Sequence, residues 1–175
     1  MQLPLIREVT LADHEGILAI YNDVIATSTA VYSFSPETLE DRRAWLESRR
    51  VGGYPVFVAR HCGEVVGFSS FGEFRGAWPG YRYSVEHSVH VRSDSRGHGL
   101  GSRLVEALFG PAAAMGKHVM IGGIDAANHG SLRMHERLGF QRVAHFREVG
   151  HKFGRWLDLV FVQRFMDGPG TARSP

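Results

Sequence analysis

The chain is 175 residues long, 43% hydrophobic and 22% charged, which fits one domain able to bury a core unaided and excludes a disordered chain. Its 20 Lys/Arg and 18 Asp/Glu leave a net charge of +2 with no basic run, which argues against a nucleic-acid partner. A single cysteine, Cys62, excludes an internal disulfide, and without a long apolar run or leader-like start the expectation is a cytoplasmic protein with no membrane contact.

Residues 5–9 read as a first strand. Thr10 or Asp13 caps a helix in which Ile17, Ile20, Tyr21, Val24 and Ile25 form one apolar stripe. Ser35-Pro36-Glu37 predicts the start of a second helix, with Ser35 as N-cap, running to about Arg50 and stopped by Gly52-Gly53. Residues 55–60 and 64–74 flank His61-Cys62-Gly63 as a hairpin. Residues 81–91 alternate, with Tyr83, Val85, His87, Val89 and Val91 on one face and Arg82, Ser84, Glu86, Ser88 and His90 on the other. A helix follows from about Gly99, with a kink at Gly110-Pro111. Residues 117–124 form a strand, and Asn128 caps a short helix that ends at Gly139. Residues 141–149 and 156–165 close the chain as an antiparallel pair. The result is an α/β mixed sheet within a single domain, residues 1–166, and a polar Pro/Gly-rich tail, residues 167–175, expected to be flexible.

The sharpest motif is Arg96-Gly97-His98-Gly99-Leu100-Gly101, between a strand and a helix. Glycines there let backbone N–H groups approach a pyrophosphate, and Arg96 adds a cationic fork. A Walker loop would need Lys-Ser/Thr after its last glycine, and a dinucleotide fold would need Gly-x-Gly-x-x-Gly; neither is present.

With Asn128-x-x-Ser131 and Leu138-Gly139-Phe140, this loop resembles the acetyl-CoA signature of the GNAT N-acetyltransferase superfamily. Glu86-His87-Ser88-Val89-His90-Val91, Met134-His135-Glu136 and the segment from Lys152 to Asp158 resemble its phosphinothricin and methionine sulfoximine/methionine sulfone acetyltransferase branch. The resemblance implies a sheet with splayed central strands and acetyl-CoA in the wedge. Ser88, Val89, His90 and Val91 would pair with the pantetheine arm. Arg96, Gly97, His98, Gly99, Leu100, Gly101 and Ser102 would hold the pyrophosphate, and Asn128 and Ser131 would reach the arm. His90 departs from the Tyr common in relatives. A homodimer is also implied, with residues 152–158 either at its surface or as a plain hairpin turn.

Acetyl transfer needs a neutral amine, donors for an oxyanion and a proton for the leaving thiolate. Glu86 is the candidate base, acting through water or by orienting the amine. His135, on one helix face with Asn128 and Ser131, is the candidate acid, and the Val89 N–H is a candidate oxyanion donor. The branch resemblance places Arg75, Gly76, Ala77, Val85, Glu86 and His87 at the substrate, with Arg75 as carboxylate anchor. Tyr32, Phe34 and Trp78 either wall a side-chain pocket or belong to the core. No His pair has metal-ligand spacing, and no metal is expected. The reading is an acetyltransferase for a small amino-acid-like amine. The alternatives are a non-catalytic acyl-CoA-binding sensor module, or an acetyltransferase for protein N-termini or polyamines.

Overall fold

The computed structural model describes residues 3–166. Its elements in chain order are β1 (Leu5–Glu8), α1 (His14–Thr27), α2 (Leu39–Val51), β2 (Val56–His61), β3 (Glu64–Glu73), β4 (Ser84–Val91), α3 (Leu100–Glu106), α4 (Phe109–Ala114), β5 (Val119–Asp125), α5 (His129–Arg137), β6 (Gln141–Lys152) and β7 (Arg155–Phe165). The strands form one seven-stranded sheet in the order β1-β2-β3-β4-β5-β7-β6. Every neighbouring pair is antiparallel except β4 and β5. The tail expected from residue 167 lies outside the described residues.

The alternation read along β4 divides the molecule into layers. His90 packs among the rings of Tyr21 and Phe68 on the face covered by α1 and α2. Val85 is fully buried on the opposite face, with Leu108, Met120, Leu132 and Phe140. Both faces of the central strands are therefore covered, as a crossover helix after β4 requires.

Several boundaries differ from the sequence expectation; β6, expected over 141–149, runs on to Lys152. Ser35-Pro36-Glu37 lies outside α2, whose N-cap is Thr38: its hydroxyl accepts from the Asp41 N–H at 3.1 Å, and the Asp41 carboxylate accepts from the Thr38 N–H at 2.8 Å. Glu37 is instead held by Asn22, which exchanges two hydrogen bonds with its backbone. Residues 79–81 form a 3-10 turn, so β4 starts at Ser84. The expected kink is a full break between α3 and α4. Pro111 has no N–H to give the Ala107 carbonyl, and its ring crowds that carbonyl.

One buried carboxylate ties the sheet edge to α1. Asp13, fully buried, accepts from Arg7 of β1 at 2.7 and 2.9 Å, from Arg60 of β2 at 2.8 Å, and from Thr10. Burial alone would raise its pKa; the Arg7, Thr10 and Arg60 bonds outweigh that and hold it well below the carboxylate range.

Candidate active site

The site forms where the sheet opens. β4 and β5 pair only at Ser84–Val119, Val85–Met120 and Glu86–Ile121. Residues 87–91 and 122–125 then diverge, and their facing backbone groups have no ladder partner in each other. Two hollows meet in this wedge. The first, about 390 Å³, is bordered by Glu86, His87, Gly122, Gly123, Asp125 and His135. The second, about 710 Å³, runs past Val89, His90 and Val91 to Arg96, Gly97 and Gly99. Asn128 and Ser131 border both.

The second hollow gathers most of the residues expected at a cofactor. Gly97 and Gly99 have φ of +85° and +73°, the left-handed region that disfavours a Cβ. A Cβ on Gly101 would lie 3.0 Å from the Met134 sulfur. The Arg96 side chain is steadied by donating from Nε to the Val91 carbonyl at 3.0 Å. Leu100 and Ser102 also border the hollow. His98 is exposed and outside it, because its side chain leaves the loop on the solvent side. Ser88 borders the first hollow instead. An open strand edge leading to left-handed glycines and an arginine fits an extended amide-bearing arm that ends in a pyrophosphate.

The first hollow holds the titratable groups. Glu86 opens into the cleft; burial of its surroundings pushes its carboxyl up from the ordinary value. His135, 1% exposed, has Nδ1 2.8 Å from the Ser131 carbonyl oxygen. A carbonyl only accepts, so Nδ1 carries the hydrogen and Nε2 presents a lone pair. Nε2 is buried without a hydrogen-bond partner among the described residues. Burial lowers the His135 pKa, against a smaller opposing effect of the Ser131 bond. His87 stacks on His135 with centroids 5.1 Å apart, both its nitrogens lack partners, and burial brings its pKa to about 3. Both imidazoles are therefore neutral at pH 7.

Several contributors were not foreseen. Gly122 and Gly123 clear space for β4 side chains on opposite faces: a Cβ on Gly122 would sit 2.7 Å from His87 Nε2, and one on Gly123 would sit 3.5 Å from Glu86 Oε1. A Gly-Gly pair inside a strand pattern is the signal that marks such a close approach. On the α2 side, Arg42 lies 3.9 Å over the Tyr21 ring and 4.8 Å over Trp45, and it pairs with Glu37. Arg49 stands over the same Trp45 at 5.1 Å and makes no ion pair among the described residues. Burial pushes its guanidinium down, only partly offset by Tyr54 and Glu73. Lys152, 2% exposed, donates to the carbonyls of Ile25, Ser28 and Val31 at 2.7, 2.8 and 2.7 Å. It thereby pins the segment between α1 and α2 that carries Ala30 and Val31 to the cleft.

The structure does not bring every expected substrate residue to the cleft. Arg75, at φ +53°, carries its guanidinium 5.5 Å over the Tyr81 ring, and neither it, Gly76 nor Ala77 borders either hollow. The Val85 side chain is fully buried on the far face. Phe34 and Trp78 are 73% and 63% exposed, and the aromatic wall is built from Tyr21, Trp45 and Phe68. Among the described residues no cluster of His, Cys, Asp and Glu could hold a metal ion, and no helix is long and apolar enough to cross a membrane.

Comparison with known proteins agrees with this geometry. A model of the acetyltransferase (GNAT) family matches residues 17–140. The chain is 47% identical over 168 residues to the L-methionine sulfoximine/L-methionine sulfone acetyltransferase of Pseudomonas aeruginosa, covering 95% of this chain and 97% of that one. It is 43% identical over 162 residues to the L-amino acid N-acyltransferase MnaT of Escherichia coli, covering 93% and 94%. Among solved structures it is similar to a GNAT superfamily phosphinothricin acetyltransferase from Sinorhizobium meliloti in complex with AcCoA, with a TM-score of 0.93, 32% identity and 99% and 94% coverage.

Proposed function

The chain belongs to the GNAT acetyltransferase family, and from that premise we propose that it acetylates the α-amine of a small amino acid of the methionine sulfone, methionine sulfoximine or phosphinothricin kind. It is an acetyl-CoA-dependent N-acetyltransferase, and the open β4–β5 edge and the glycine loop fit that co-substrate. When bound, acetyl-CoA supplies an acetyl group activated as a thioester.

The observation that carries the reading is Glu86, a carboxylate with no ion pair among the described residues, at the last β4–β5 ladder pair and bordering the first hollow. Glu86 attracts the substrate ammonium and takes its proton, directly or through water. Its raised pKa brings it nearer an amine's and makes it a better base than an ordinary carboxylate. His135 fills the acid role expected of it by way of a relay, because its neutral tautomer has no N–H on Nε2: Nε2 takes the second amine proton as the C–N bond forms and passes it to the departing sulfur, leaving CoA as the thiol and His135 as it began. His87 keeps the face behind His135 dry.

Arg75 remains the candidate contributed by the branch resemblance, on a loop beside the cleft. A homodimer is part of the proposal, since Val149, Phe153 and Trp156 stand 55%, 57% and 64% exposed on the β6–β7 hairpin; so is a cytoplasmic setting.

The test is thiol release from acetyl-CoA over a panel of methionine sulfone, methionine sulfoximine, phosphinothricin, ordinary amino acids, spermidine and a peptide N-terminus. Release with one of the first three and little with spermidine or peptide supports the reading. Release confined to polyamines or peptides contradicts it.

A further inference from the structure

The sheet register brings a cation and an anion side by side in a way that fits an α-amino acid. Gly72 of β3 is the direct partner of Glu86 on β4. Directly opposed residues of an antiparallel pair project to the same face, with Cβ positions about 5 Å apart. That face is the one covered by α2, as the Phe68–His90 pair two steps along each strand shows. Over Gly72 lies the Arg49 guanidinium: a Cβ on Gly72 would collide with Arg49 Nη1 and lie 3.0 Å from Nη2. The Arg49 guanidinium thus reaches, Nη1 first, into the space over Gly72 that only a glycine leaves free, on the strand next to Glu86. Yet the two do not pair with each other; no Arg49–Glu86 ion pair within 4 Å exists among the described residues. Arg42, two turns earlier on the same face of α2, is already neutralised by Glu37, whereas Arg49 has Trp45 behind it and no ion pair among the described residues, with Glu73 attracting it at longer range. Both Arg49 and Glu86 border the same hollow.

We propose that Arg49 binds the α-carboxylate of the substrate, over Gly72, while Glu86 holds its α-ammonium. This rests on the amino-acid reading above and deepens it. One charge of each sign, the cation reaching from α2 over β3 and the anion standing on the neighbouring strand β4, matches the two groups that share a single carbon in every α-amino acid. A guanidinium can meet the carboxylate with two parallel hydrogen bonds in a partly buried setting. Arg75, engaged with Tyr81 outside the hollow, takes a lesser part. The proposal implies that amines without a neighbouring carboxylate, polyamines among them, are poor substrates.

The experiment compares kcat/KM for L-methionine sulfone with that for its carboxamide, in wild type, Arg49→Ala, Arg49→Lys, Gly72→Ala and Arg75→Ala. Calorimetry of the two compounds binding to the CoA-loaded enzyme gives a second readout that needs no turnover. The expected result is a preference for the carboxylate in wild type that falls about 100-fold in Arg49→Ala, falls in Gly72→Ala, where the guanidinium is displaced, is partly kept in Arg49→Lys, and moves less in Arg75→Ala. Should Arg49→Ala fail to fold, Arg49→Lys and Gly72→Ala carry the comparison. A preference unmoved by the Arg49 and Gly72 variants, or one abolished only by Arg75→Ala, overturns the assignment while leaving the amino-acid reading intact. Wild-type enzyme inactive on all amino acids overturns that reading and the assignment with it.

Discussion

His87 and His135 stack with their ring planes 25° apart, one imidazole bonded at Nδ1 and the other bonded nowhere among the described residues. Among the described residues no carboxylate raises the pKa of either ring, so a standing charge on either one inside the core is costly. The folded pKa of His87, about 3, lies below the unfolded value of about 6.5. The unfolded chain therefore binds more protons below pH 6.5, and stability is lost as pH falls from there toward 3, by at most ~1.4 kcal/mol per pH unit for this residue. Urea midpoints at pH 7 and pH 5 should differ, and His87→Phe, which keeps an apolar ring against His135 and Phe140, should shrink the difference. An equal difference in the variant removes His87 as its cause.

Glu86→Gln keeps the shape of the side chain and removes its charge. Turnover should fall about 100-fold, with the dissociation constant for CoA close to that of wild type. Because burial raises the Glu86 pKa, the acid limb of kcat/KM should lie above the usual carboxylate value of about 4.3 and should vanish in the variant. A limb of unchanged position in Glu86→Gln assigns it to another group.

Gly99→Ala forces a Cβ into the left-handed region at φ +73°, at about 1–2 kcal/mol. The strain displaces the loop from its binding shape. CoA binding measured by calorimetry should weaken about tenfold, with kcat at saturating acetyl-CoA affected less. A drop in kcat at unchanged affinity would place the loop in the chemistry rather than in cofactor binding.

Lys152→Met removes one donor from three carbonyls, two of them part of the segment between α1 and α2. Each buried acceptor left unsatisfied costs roughly 1–3 kcal/mol, so the variant should lose at least about 2 kcal/mol of stability by urea unfolding. The freed segment carries Ala30 and Val31 at the cleft, so KM for the amine should rise more than kcat falls. A loss of stability with KM unmoved would confine Lys152 to the scaffold.

Asp13→Asn leaves Arg7 and Arg60 without their buried carboxylate and should cost about 3 kcal/mol at pH 7. The wild-type carboxyl titrates below its unfolded value of about 3.9. Its contribution is fully present above that pH and is lost as the pH falls through the window beneath it. The gap in stability between wild type and variant should therefore narrow at pH 3. A gap that stays constant down to pH 3 refutes the linkage.

What the sequence made legible was local. The glycine loop, the Asn128 cap and the Gly139 stop each declare a backbone conformation within a few residues, and each lies where read. The succession of strands and helices along the chain was legible too, and alternation marked the two faces of β4. Choices decided at a distance were not legible: Ser35-Pro36-Glu37 and Thr38-x-x-Asp41 are both plausible helix starts, and the bonds from Asn22 to Glu37 select the second. Arg49 reads as one more arginine on a polar helix until β3 places Gly72 beneath it. Lys152 was visible as part of a motif, but its three carbonyl partners come from the other end of the chain. The role of His135 turned on which nitrogen meets the Ser131 carbonyl, a detail that spacing alone cannot supply.

The most direct test is to identify the product formed from L-methionine sulfone and acetyl-CoA by mass spectrometry, alongside the thiol released. The expectation is one acetyl group on the α-nitrogen for each CoA thiol released, with Glu86→Gln slowing both together. Thiol released without acetylated amino acid, or acetylation that proceeds at full rate in Glu86→Gln, would contradict the proposed amine acetylation at this cleft.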